Sequence, residues 1–256
     1  MKNILSKKLF GIVIIVIVIV IVIIILPLFI FYNKKNEKYT DLKNALSNTF
    51  FYLDKDDYDD LNSISDLCKI SLIYDTNYMK SDYVIYEIGK EKIKGYTKQN
   101  VDNSIKKILG NSASINFELN DLNSYDSILN DVCMYNDKII NLSYDSDKKV
   151  LYNYNPQNKK SKRIIMANWD DDLENLDYLT LNAQALMIVK NEKYDLYKDS
   201  KMEYLIGSYN SLNEAKNAAR NNFDKSYKYV FKFKKENNNY IWKEFHRKTY
   251  NDVIVD

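Results

Sequence analysis

The chain has few of the residues on which common active sites depend. Its 256 residues include one histidine, two cysteines, five glycines and two prolines. Five glycines leave little material for a phosphate-binding loop, and one histidine leaves little for a histidine-based metal or acid–base site. Two cysteines cannot form a disulfide-rich scaffold. These counts argue against several classes of enzyme and small secreted protein, and we predict no catalytic residue, metal site or cofactor.

Charge is missing from one long segment near the N-terminus. Residues 9–32 are 24 positions without a charged side chain, although the mean hydropathy of the whole chain is −0.45. A helix of this length reaches about 36 Å, enough to cross the ~30 Å hydrocarbon core of a bilayer. Its isoleucines and valines favour a strand in water, but a lone strand in lipid leaves its backbone amides unpaired. The pattern therefore predicts a transmembrane helix over 9–32, after a basic tail over 1–8.

A cleaved signal peptide is the alternative for this segment. Such peptides usually have an apolar region of about 7–15 residues before a small-residue cleavage site, whereas residues 29–33 here read Phe-Ile-Phe-Tyr-Asn. Lysines lie on both flanks and do not decide the orientation, but a short tail before the span is typical of a signal-anchor. We expect a single-pass plasma-membrane protein with its N-terminus inside and its C-terminal domain outside. The opposite orientation is the alternative.

The charge balance of the remaining chain argues against a polyanion-binding domain. Residues 1–32 contain three lysines and no acids, so residues 33–256 have 34 basic and 35 acidic side chains, a net charge of −1. Aromatic and basic residues alternate over 227–234, a pattern that can bind nucleic acid by stacking. Because alternate residues of a strand point to opposite faces, we expect these aromatics to face the core and the lysines to face water. The expected partners are the lipid bilayer and an unidentified protein or envelope component, not nucleic acid.

Apolar periodicity continues along the chain and predicts an α+β fold dominated by antiparallel hairpins with several amphipathic helices. Thr97 and Gly110 have the properties of residues that begin and end a helix, and Ser211 with Glu214 fits a capping box that opens another. Further helices are predicted over 40–53, 61–72 and 168–179. The predicted strands are 82–89, 114–119, 132–135, 139–144, 149–154, 163–167, 183–190, 194–198, 202–208, 226–234 and 240–247.

These elements predict an ordered set of segments beyond the anchor. They are a helical stalk and linker over 33–60, an α+β subdomain over 61–154, a polar linker over 155–162, and a second α+β subdomain over 163–256 that ends in a hairpin. A helix followed by strands occurs in both subdomains, which suggests that the two are similar. The acidic run over 54–60 is expected to be a solvated part of the linker.

Three small clusters are candidate sites. A basic cluster, a candidate contact for polyanions or lipid headgroups, consists of Lys159, Lys160, Lys162 and Arg163. An acidic cluster, a candidate weak cation site or the first turn of a helix, consists of Asp170, Asp171, Asp172 and Glu174. Cys68 and Cys133 are a candidate disulfide outside the cell, which would contribute about 4 kcal/mol by closing its loop; the alternative is two buried thiols.

Two classes of function fit these observations. We expect a membrane-anchored, non-catalytic binding or scaffolding protein, because a well-patterned domain follows the anchor without a coherent set of catalytic residues. The alternative is a cell-envelope hydrolase or transferase that uses the carboxylates of 170–174 with His246. That alternative requires at least two of these side chains to meet in a pocket.

Overall fold

The structure of the chain is a computed structural model that describes residues 39–50, 52–53, 55–58, 60–74, 76–79, 83–115, 142–153, 163–170, 172–199, 201–237 and 239–248. The predicted transmembrane helix over 9–32 lies outside this part of the chain. Among the residues that the structure describes, no helix has both the length and the apolar character needed to cross a bilayer. The chain divides into two compact units, residues 1–42 and residues 43–256.

The fold combines helices with two antiparallel sheets, which confirms the predicted α+β class. The α-helices of the described residues are α1 (Thr40–Ser47), α2 (Asp66–Ile73), α3 (Lys98–Leu109) and α4 (Leu212–Arg220), and short 3₁₀ turns occupy Leu61–Ser63 and Phe223–Lys225. The strands are β1 (Asp57–Tyr58), β2 (Val84–Ile88), β3 (Glu91–Thr97), β4 (Leu142–Asp145), β5 (Val150–Asn153), β6 (Arg163–Trp169), β7 (Leu173–Glu174), β8 (Tyr178–Lys190), β9 (Tyr194–Tyr197), β10 (Leu205–Tyr209), β11 (Lys228–Glu236) and β12 (Asn239–Lys248).

Strand β8 is the central strand of the eight-stranded sheet and pairs with four other strands. One of its edges pairs with β11 and then with β9, while the other pairs with β7 and then with β6. The main path through the sheet is β1-β12-β11-β8-β9-β10, and the separate four-stranded sheet has the order β2-β3-β5-β4. Thirteen residues give β8 a length of about 40 Å. The two turns at its ends, before Tyr178 and after Lys190, are therefore far apart.

Opposite faces of β8 are buried in different ways. Leu179, Leu181 and Ala183 lie on one face and are fully buried. This face carries an aromatic core that consists of Phe50, from the segment after α1, and of Trp169, Tyr229, Phe231, Phe233, Trp242 and Phe245 from neighbouring strands. The predicted orientation of the 227–234 strand is confirmed at Tyr229, Phe231 and Phe233, which are buried, whereas Lys234 is exposed.

The other face of β8 changes character along its length. Near its end Leu186 and Ile188 pack with Ile164 and Leu196 beneath helix α4, whose Ala215 and Ala219 make the contact. Alanine at these positions lets the helix lie close to the sheet. Near its beginning the same face carries the polar residues Thr180, Asn182 and Gln184 instead, of which Asn182 is buried and the other two are half-buried.

Helix α3 begins and ends where the sequence predicts. Thr97 Oγ1 accepts a hydrogen bond from the N–H of Asn100 at 3.2 Å, and Asn100 Oδ1 accepts from the N–H of Thr97 at 3.1 Å. Gly110 ends the helix with a positive φ of 92°, which a residue with a Cβ rarely adopts. Val101, Ile105 and Ile108 are fully buried along one face of this helix.

Two local predictions are wrong. The helix predicted over 168–179 is absent, because residues 163–169 form β6 and pair along β8, and short strand β7 follows. The acidic run over 54–60 is not simply a solvated linker, because Asp57 and Tyr58 form β1 on the edge of β12. In both places pairing with a distant strand overrides the local signal.

Several predictions lie wholly or partly outside the described residues. They include most of the strand predicted over 114–119, of which only residues 114–115 are described, the strand predicted over 132–135 and the polar linker over 155–162. The boundaries of the two subdomains therefore remain predictions, as does their similarity.

Candidate functional site

The single histidine lies in a row of charged side chains on the polar face of the eight-stranded sheet. We call Asp57, His246, Glu244 and Lys232 the histidine row. His246 Nδ1 lies 2.8 Å from Asp57 Oδ1, and His246 Nε2 lies 3.2 Å from Glu244 Oε2. Lys232 Nζ donates to the same Glu244 oxygen at 2.9 Å. Both ring nitrogens of His246 are thus engaged by carboxylates.

Strand register places each member of the row. Glu244 and His246 are two residues apart on β12, so they share a face of the strand. Lys232 pairs with Glu244 across the β11–β12 hairpin, and Asp57 pairs with His246 from β1. The contact with Lys232 follows from hairpin register, whereas no local signal indicates Asp57, which lies 189 positions from His246.

A second charged contact joins the same two segments. Arg247 Nε donates to Asp56 Oδ1 at 2.7 Å, its Nη2 donates to the same oxygen, and its backbone N–H donates to the carbonyl oxygen of Asp56 at 2.6 Å. Burial alone lowers the pKa of Arg247, but hydrogen bonding to Asp56 and the nearby Tyr229 raise it above its usual range. The guanidinium also lies 5.1 Å from the ring centre of Tyr227. Asp56 and Asp57 are therefore held by Arg247 and His246, two consecutive residues of β12.

These contacts have a structural role, because they connect β1 to β12. We call the histidine row and the Arg247–Asp56 pair together the clasp. A neutral imidazole donates through one ring nitrogen and accepts through the other, and a protonated one donates through both. With carboxylates on both sides, a substrate could reach an imidazole nitrogen only by displacing Asp57 or Glu244. The row and the Arg247–Asp56 pair together fasten β1, near the beginning of the described chain, to its last strand.

Removing the Glu244 charge is expected to make stability less dependent on pH. Hydrogen bonds from Lys232 and then His246 hold the pKa of Glu244 below its usual value of 4.5. A lowered folded-state pKa stabilises the fold above the unfolded-state pKa, and this contribution is lost as the pH falls through the folded-state value. We therefore expect E244Q to be less stable than the wild type at pH 7, by a margin that shrinks below about pH 4.5.

Denaturant unfolding of the full-length chain at several pH values measures this difference. Lys232→Met is the matched control, because it removes the largest cause of the lowered pKa and leaves the carboxylate in place. In this background the E244Q substitution should have a smaller effect that varies less with pH. An unchanged margin for E244Q between pH 7 and pH 3 would contradict the expected role of Glu244.

The structure gives the described members of the acidic cluster separate partners. Asp172 lies 2.7 Å from Lys43 Nζ, and Asp170 lies 3.9 Å from Lys228 Nζ. Glu174 accepts a hydrogen bond from the hydroxyl of Tyr240. Asp171 lies outside the described residues, and those that are described contain no group of three histidine, cysteine or acidic residues able to hold a metal ion. These acids do not lie in the first turn of a helix, because strands β6 and β7 occupy this region.

The other two candidate sites are described only in part. Arg163 is the half-buried first residue of β6, where it pairs with Val189, while Lys159, Lys160 and Lys162 lie outside the described residues. Cys68 is fully buried on α2, and Cys133 lies outside. The polyanion contact and the disulfide remain predictions.

Comparison with known proteins adds no assignment to this geometry. The chain matches no protein family model, and neither a curated protein nor a solved structure is significantly similar to it.

Proposed function

We propose that this chain is a membrane-anchored, non-catalytic binding or scaffolding protein whose domain lies outside the cytoplasm. The observation that carries the proposal is the charge-free segment over 9–32, which is long enough to cross a bilayer and precedes a folded domain. In this proposal the protein crosses the plasma membrane once and presents its domain to a protein or another component of the cell envelope.

The pairing of the charged side chains supports the non-catalytic part of the proposal. His246 contacts Asp57 and Glu244, while Asp170 and Asp172 pair with lysines. A hydrolase or transferase of the kind considered above needs two of the 170–174 carboxylates or one of them with His246 at a common point. The contacts of these residues instead bind strands and segments of the chain to one another.

The anchor is tested by placing charges in the middle of the apolar segment. A lysine at the centre of a membrane helix costs about 2.5–3.5 kcal/mol on insertion scales. We expect the double variant I19K/I23K to leave the membrane fraction, whereas the matched variant I19L/I23L remains in it. Fractionation of cells without detergent, followed by detection of the full-length chain, measures both. Full-length wild-type chain in the aqueous fraction contradicts the proposal.

The orientation is tested by adding protease to intact cells. With the domain outside, protease digests it and leaves the N-terminal tail protected. A domain that survives in intact cells but is digested after lysis reverses the orientation while leaving the anchor in place.

A further inference from the structure

The turn between β7 and β8 exposes a group of large apolar side chains. Leu176 is 90% exposed, Leu173 64% and Tyr178 49%. We call these three residues the leucine tip. Leucine is usually buried in a folded domain, and exposed apolar groups of this kind often mark sites of interaction with a protein or a membrane.

The backbone of the leucine tip is held in place by hydrogen bonds. Asn175 Oδ1 accepts from the N–H groups of Asp177 at 3.0 Å and Tyr178 at 2.8 Å. The carbonyl oxygen of Asp177 accepts from the N–H of Lys235 on β11 at 2.8 Å. The leucines are therefore presented on an ordered turn, so less conformational entropy is lost when they bind.

The chain that leads to the predicted anchor enters the domain close to the leucine tip. Lys43, which follows the anchor by 11 residues, forms an ion pair with Asp172, and Asp172 immediately precedes Leu173. Residues 40–43 are helical, so the chain between Tyr32 and Lys43 can span at most about 33 Å. This is shorter than β8, which separates the leucine tip from the Asn191–Lys193 turn by about 40 Å. A chain of this length cannot connect the anchor to a domain that rests on the bilayer by the Asn191–Lys193 turn with the leucine tip pointing away. This limit favours the bilayer as the partner of the tip.

We propose that the leucine tip inserts into the interfacial region of the bilayer that holds the anchor. This inference rests on the proposed membrane anchor. Two acids near the tip, Glu174 of β7 and Asp177 of the turn, balance the neighbouring Lys234 and Lys235 of β11. Apolar contact rather than attraction to anionic lipid therefore drives insertion. Tyr178 at the base of the tip is suited to the headgroup level, where tyrosine is enriched in membrane proteins. Insertion holds the domain in one orientation against the membrane.

Quenching of tryptophan fluorescence by brominated lipid tests the insertion. Full-length L176W and the matched control E192W are reconstituted into phosphatidylcholine vesicles, with and without bromine on the acyl chains. Glu192 is exposed in the turn at the opposite end of β8. The wild type supplies the background from Trp169 and Trp242. Because the tip enters about 5–10 Å into the interface, we expect brominated lipid to reduce the added emission of L176W about twofold and to leave that of E192W nearly unchanged.

The possible results separate the tip from the anchor. Flotation of the vesicles reports the anchor first, and a chain that does not float overturns both proposals. An L176W chain that floats while its added emission remains unquenched overturns the tip alone, as does equal quenching of L176W and E192W, and either result favours a protein as the ligand of the leucines. Quenching of L176W that persists at about 1 M salt, where charges are screened beyond about 3 Å, supports apolar insertion. Quenching that disappears at that salt concentration contradicts it.

Discussion

Replacing Phe231 by alanine is expected to lower the free energy of unfolding by about 3–5 kcal/mol, the range measured for large buried aromatic side chains. Phe231 is fully buried at the centre of the aromatic core. Its ring centre lies 5.3 Å from that of Phe245, 5.5 Å from that of Trp242 and 5.8 Å from that of Phe50. Phe50 follows α1, whereas the other two belong to β12, so the truncation removes contacts between distant parts of the chain.

Denaturant unfolding of the full-length chain in detergent measures this loss. Trp169 and Trp242 both contact Phe231, so tryptophan fluorescence reports on the affected core directly. Tyr204→Ala is the control, because Tyr204 is 57% exposed and its truncation should change stability by no more than about 0.5–1 kcal/mol. Similar losses for the two variants would show that Phe231 is not central to the core.

The sequence predicts the parts of this fold that depend on local signals. Helix α3 has a threonine cap, an apolar stripe and a terminal glycine, and all three signals agree with the structure. The β11–β12 hairpin is also predicted, from the strands 226–234 and 240–247 and the short polar segment between them. In both elements the residues that determine the structure lie within a few positions of one another.

Other features depend on partners that a local pattern does not contain. A helix is predicted over 168–179. Residues 168–169, at the beginning of this predicted helix, instead belong to the seven-residue strand β6, which pairs along β8. Trp242 and Phe245 both face the aromatic core although they are three residues apart, which simple alternation forbids. A bulge near Lys243 shifts the register and brings both onto one face.

In the candidate site, too, only the part that depends on local sequence is predictable. Glu244 and His246 share a face because of strand periodicity, and this follows from the strand predicted over 240–247. Asp57 joins them from the short edge strand β1, and Asp56, which directly precedes that strand, contacts Arg247; both acids lie about 190 positions from their partners. Their acidic neighbours indicate a solvated segment, and only the paired register with β12 shows that these two carboxylates are structural.

Replacing Asp56 by alanine is expected to cost about 2–3 kcal/mol, more than the same change at Asp57. The Arg247 side chain is only 5% exposed, so D56A leaves a buried guanidinium without its carboxylate. Asp56 itself is 67% exposed, and water that enters the vacated space keeps the cost below that of a fully buried pair. Asp57 contacts the more accessible His246, so D57A should cost no more than about 1 kcal/mol.

A double-mutant cycle with R247M isolates the contact between the two side chains. Methionine keeps much of the apolar stem of Arg247 and removes the charge, so D56A should cost little in the R247M background. The expected coupling is about 1.5–3 kcal/mol, the range for hydrogen bonds to charged groups. D56A and D57A with equal costs, together with additive effects of D56A and R247M, would mean that the clasp does not hold β1 on β12. The expected result instead makes the Arg247–Asp56 pair the stronger half of the clasp, because its cation is more deeply buried than the imidazole of His246.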